Sequence, residues 1–130
     1  MNRLLTLAAA IEAVTGLLLM TVPSPVVRLL LDGKISGVSV PLGRVAGFGL
    51  LSLGIACWPG RHPAGNMFSA LWAMLAYNLL AAIYFLSLGI GGEWVGTLLW
   101  PAVVLHAAMT VLCVAFLLKK PIQTEKGKKT

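Results

Sequence analysis

Polar and apolar residues are not mixed along this chain; they are sorted into blocks. Four long apolar stretches run from Leu4 to Val22, Leu42 to Trp58, Met67 to Leu88 and Trp94 to Leu118. Pro23-Ser24-Pro25, Pro59-Gly60, Gly91-Gly92 and Lys119-Lys120-Pro121 punctuate them. Crossing roughly 30 Å of hydrocarbon takes about 20 helical residues, and each stretch is close to that length. None shows period-two alternation, and an open sheet edge is not tolerated in lipid, so strands are excluded. The pattern predicts an all-α fold: an integral-membrane four-helix bundle, one domain over residues 1–118, with a basic tail at 119–130. The first stretch reads as a retained span. It is long for a signal-peptide core, contains Glu12 and lacks an A-x-A site before Pro23.

The segment after the first span carries its own signal. Ser24 is a candidate N-cap with Pro25 at the first helical position, and Val26, Val27, Leu29, Leu30 and Leu31 precede an Asp32-Gly33 stop. This predicts a short interfacial helix between the first two spans. A connector packing its leucines against lipid is the favoured reading, and a lid over the bundle the other.

Composition sharpens the picture. Hydrophobic residues make up 58% of the chain and charged residues 11%. A water-facing surface usually needs about a quarter charged residues. The net charge of +6 suggests nucleic acid at first sight, but Lys119, Lys120, Lys126, Lys128 and Lys129 crowd the last twelve positions. A basic run directly after an apolar span is a cytoplasmic anchor near anionic lipid, so the bilayer is the expected partner and nucleic acid is not. With Arg3 and Arg61 on the same side as that tail, the positive-inside rule places both termini in the cytoplasm of a bacterial inner membrane. Cys57 and Cys113 lie in apolar runs with no CxxC pair, and read as small buried hydrophobes.

Ionisable groups in hydrocarbon are costly, so those inside the spans are the candidate chemistry. Measured from the span midpoints, Glu12, Tyr77, Asn78 and His106 share the midplane. Arg44 lies six residues outward of its own midpoint, from which its long side chain is expected to reach toward Glu12. Tyr77 and Asn78 point about 100° apart, so one of them is expected to face the centre. Thr110 is placed to bond the carbonyl of His106. For Glu12 with Arg44, two readings stand open: a structural ion pair, or a ligand or proton site. His106 reads as a neutral core histidine bonded to Asn78 or Tyr77; a metal would want more ligands at that depth. No metal site and no cofactor is implied. Gly43, Gly47 and Gly54 read as a packing ridge, and Pro101 as a kink one turn from His106.

The Pro-rich turn and apolar loop after the first span, with the "GRVAGFGLLSLGIACW" and "LLWPAVVLH" helices, resemble small bacterial four-helix membrane proteins of the DoxX-like kind. That likeness covers most of the chain as a layout and implies little mechanism. Separately, "AAAIEAVTGLLLM" is similar to the first helix of small multidrug-resistance transporters, in which one membrane glutamate binds protons and cationic substrate; Glu12 would be its counterpart. That family's aromatic-small-glycine third helix is replaced here by "LWAMLAYNLLAAIYF", and Arg44 and His106 are foreign to it. No nucleophile-base-oxyanion set or phosphate loop supports a named reaction. The expected function is a non-enzymatic structural or accessory membrane protein, or one binding a lipid or small molecule, alone, as a homo-oligomer or within a membrane complex. The alternative is a proton-coupled transporter or membrane enzyme working through Glu12, Arg44, Asn78 and His106.

Overall fold

The computed structural model describes residues 2–58 and 67–119; the Arg61-His62 loop and the tail from Lys120 onward lie outside the described residues. Among those described there are five helices and no strand: α1 (Asn2–Thr21), α2 (Pro23–Leu31), α3 (Ser39–Ala56), α4 (Met67–Gly91) and α5 (Leu99–Leu118). All but α2 are long and apolar enough to cross a bilayer. Their outer faces are apolar too, with Leu7, Val14, Trp72, Ile83, Val104 and Val111 all exposed. In water such a surface would be a liability. In hydrocarbon it is the expected one.

Helix ends depart from the sequence reading in instructive ways. α2 begins at Pro23, with Val22 at the cap position and no side-chain cap, so Ser24 is inside the first turn. Its end is set by Asp32, which takes the left-handed conformation at φ 52° while its N–H returns to the Arg28 carbonyl. α4 runs past Gly89, which lies under the ring of Trp100 where a Cβ would meet carbon at 3.1 Å, and stops only at Gly92, at φ +75°. The fourth span starts at Leu99 rather than Trp94, which corrects the expected kink. Pro101 falls in the first turn of α5, where its missing N–H breaks no interior bond.

The helices associate as two pairs. α1 packs along α3 and α4 along α5, while contact between the pairs is slight. Close approach of α1 and α3 depends on glycine: a Cβ on Gly47 would stand 2.7 Å from the Gly16 carbonyl oxygen, and one on Gly54 2.6 Å from that of Ala9. The pairs meet tightly only at the end away from α2. There Leu5, Ala9, Cys57, Leu71, Met74, Met109 and Cys113 form the buried core. Both cysteines are free, and the Cys57 thiol points at the Ala70 carbonyl.

At the other end α2 closes the bundle. The N–H groups of Gly96 and Leu98, in the loop between α4 and α5, donate to the carbonyls of Leu30 and Leu29 at 3.1 and 2.8 Å. These are last-turn carbonyls that a helix leaves without partners of its own, so the loop straps the short helix across the bundle. Gly96 permits this, because a side chain there would overlap the Leu29 carbonyl. α2 therefore lies over the bundle as a lid, with Val26, Val27, Leu29 and Leu30 lining the space beneath it and Leu29 exposed as well.

Candidate functional site

Solid packing at one end and slight contact between the pairs at the other leave a cavity of about 730 Å³ under α2. All five helices contribute to it. Its walls are leucine, valine, alanine and Phe85, and its polar groups are few: Glu12 and Thr15 from α1, Tyr77 and Tyr84 from α4, and His106 from α5. Leu18, Leu80 and Tyr84 line it and are also exposed on the helix flanks, so the cavity communicates with the apolar lateral surface.

The deepest groups form one connected layer. The Tyr77 hydroxyl lies beside the Glu12 carboxyl, close enough to pair with it, which joins α4 to α1. Tyr77 also meets the His106 ring edge-on, with centroids 5.7 Å apart, and Phe85 flanks that ring at 5.6 Å. On its far side His106 Nδ1 lies 2.8 Å from the Asn78 carboxamide oxygen, joining α5 to α4. Asn78 is itself oriented, since its Nδ2 donates to the Met74 carbonyl at 2.9 Å. Its oxygen therefore faces the histidine, and the ring nitrogen opposite must carry the proton. In the neutral ring this leaves Nε2 with its lone pair, and His106 is among the residues lining the cavity.

The structure thus brings together Glu12, Tyr77, Asn78 and His106, from the three helices α1, α4 and α5, at one depth. Of the two, Tyr77 lines the cavity and Asn78 does not, in keeping with the expectation that one faces the centre. Their 100° separation aims Tyr77 at α1 and Asn78 at α5, because α4 has a neighbour on each side. Thr110 does what its spacing predicts, donating to the His106 carbonyl at 2.8 Å, and it takes no part in lining the cavity.

Arg44 is the correction. It is exposed, and Glu12 has Tyr77, not an arginine, as its partner. The register of α1 against α3 explains this. Gly54 faces Ala9 and Ala13, Gly47 faces Gly16 and Met20, and Gly43 faces Pro23. Arg44 is thereby level with the end of α1 at Thr21, nine residues and about 14 Å beyond Glu12. Midpoints of apolar runs misjudge depth because glycine contacts, not hydropathy, set the slide of one helix on another. The cavity, too, leaves little mark on the sequence. Its only trace was the run of small residues, Ala46, Ala81 and Ala102, on facing helices.

Among the described residues no three His, Cys, Asp or Glu side chains gather as a metal site would require. Compared with protein families, curated proteins and solved structures, the chain matches none. The likenesses noted in its helices therefore rest on those helices alone.

Proposed function

We propose that this chain is a multi-pass membrane protein that binds a small, largely apolar molecule between its two helix pairs, with the molecule's polar end on the Glu12–Tyr77–His106 layer. The bilayer is its setting. By the positive-inside rule, Arg3, Arg61 and the lysine-rich tail put both termini in the cytoplasm of a bacterial inner membrane and α2 on the opposite face. Its layout of four apolar segments with an apolar loop after the first resembles that of DoxX-like proteins.

The observation carrying this reading is the cavity under α2. Its volume of about 730 Å³ falls among small-molecule sites, which run from about 300 to 1,000 Å³ and have apolar walls with a few convergent polar groups. The cavity opens onto the apolar flank through Leu18, Leu80 and Tyr84, so an apolar molecule has a route to it from the side. A purely architectural bundle would have closed the space with larger side chains where Ala46, Ala81 and Ala102 stand.

The test is to extract the protein in mild detergent and identify the small molecules that come with it by mass spectrometry, beside an Ala102→Phe variant whose ring fills the cavity. A defined molecule at near-stoichiometric level on the parent protein, and depleted from the folded variant, is expected. Equal retention by both would reject the site.

A further inference from the structure

α2 has a second side, turned away from the cavity, and it forms one wall of a groove of about 920 Å³. From this groove we infer that the chain carries a site for an anionic phospholipid, holding the lipid's phosphate between Arg28 and Lys34 at headgroup depth.

Local sequence sorts the side chains. Ser24 and Arg28 are four residues apart and share the exposed side of α2, while Val26, Val27 and Leu30 line the cavity behind it. The stretch after the helix alternates: Gly33 is buried, Lys34 exposed, Ile35 half-buried and Ser36 exposed. Two contacts pin this stretch. Gly33 lies under the ring of Trp94, where a Cβ would meet carbon at 3.1 Å, and Ile35 reaches the start of α3 at Gly43. With those two residues held, Lys34 and Ser36 join Ser24 and Arg28 around the groove.

These four groups suit a phosphate. Arg28 presents a fork of N–H donors, Lys34 a compact charge, and the serines two hydroxyls. Neither cation forms an ion pair among the described residues. The acids of this face, Asp32 at the end of α2 and Glu93 beside Trp94, are not part of the lining.

Depth and walls decide where the phosphate comes from. The groove lies just past the end of α1 at Thr21 and before the start of α3 at Ser39, where apolar spans give way to headgroups. Its remaining walls are Pro25, Leu29 and Ile35, and Leu29 is exposed. A water-borne phosphate has no use for such walls, whereas a lipid lays its glycerol esters and first methylenes on them. A zwitterionic head carries its own ammonium beside the phosphate, so two unpaired cations favour a head that lacks one. The cavity beneath α2 takes no part in this, and the two sites stand or fall separately.

The experiment uses the full chain in dodecyl maltoside micelles and a phosphatidylglycerol carrying a diazirine beside its head, with crosslinks mapped by mass spectrometry. The expected result is labelling between residues 24 and 36, blocked by unlabelled phosphatidylglycerol at roughly tenfold lower concentration than by phosphatidylcholine. Arg28→Gln combined with Lys34→Gln is expected to cut that labelling by about tenfold. Arg44→Gln, which removes an exposed cation at the same depth but outside the lining, is expected to leave it unchanged. An equal loss with Arg44→Gln, or labelling confined to the lysine-rich tail, makes the attraction one of general charge and overturns the site. Equal competition by phosphatidylcholine overturns the preference for an anionic head. Displacement by millimolar inorganic phosphate moves the source to water and overturns the assignment to a lipid. Where the double variant folds poorly, the position of labelling and its competition on the parent protein decide.

Discussion

His106 and Asn78 hold α5 to α4 through a single side-chain bond, Nδ1 to the carboxamide oxygen at 2.8 Å, in a layer where both residues are buried. Because Met74 and Thr110 complete the bonding of Asn78 and of the His106 carbonyl, the pair is a satisfied unit rather than two isolated polar groups. His106→Leu and Asn78→Leu should each destabilise the protein, since each strands the other's polar atom. The double change should recover part of the loss. Interhelical bonds in membranes couple by ~0.6 kcal/mol on average and up to ~1.7 kcal/mol, so the interaction term should fall there. Unfolding in mixed micelles measures it, and strictly additive losses would show that the bond contributes nothing.

Glu12 and Arg44, by contrast, should behave independently. Arg44 is exposed and about 14 Å away along the helix axis, so Arg44→Met should change stability by no more than ~0.5 kcal/mol. Combined with Glu12→Gln, its effect should simply add. Recovery of stability in the double variant would mean that the two charges do meet.

Glycine substitutions separate close approach from helix propensity. Gly47→Ala drives a Cβ to 2.7 Å from the Gly16 carbonyl, backbone that has nowhere to move, whereas a Cβ on Gly49 meets nothing within 4 Å. The first should lower the unfolding temperature as α1 and α3 are forced apart. The second should be neutral or stabilise by up to ~1 kcal/mol, the usual gain of alanine over glycine in a helix. A Gly47→Ala protein as stable as Gly49→Ala would contradict the packing described.

Topology is open to chemical labelling. Cys57 and Cys113 are buried, so neither should react in the folded protein. Single cysteines at Thr130 and Gly91 should then label from opposite faces of the membrane, Gly91→Cys from outside intact cells and Thr130→Cys only after permeabilisation. Both reacting from outside would rule out an even number of spans with internal termini.

Much of this architecture is written in composition and period. The four long apolar helices, the short helix after the first, and the bond from Thr110 to the His106 carbonyl all follow from local sequence. Each depends only on run length, helical spacing or a side chain reaching its own preceding turn. What the sequence could not supply is how one helix slides and turns against another. That register separates Arg44 from Glu12 and hands Glu12 to Tyr77, and it is set by glycines meeting backbone across α1 and α3. The lid is a tertiary matter as well, since it exists through bonds from Gly96 and Leu98 to Leu30 and Leu29, more than sixty residues apart in the chain. The cavity is the furthest from sequence of all. An alanine reads the same whether it lets two helices touch or leaves a space between them, and only the packing of all five helices decides which.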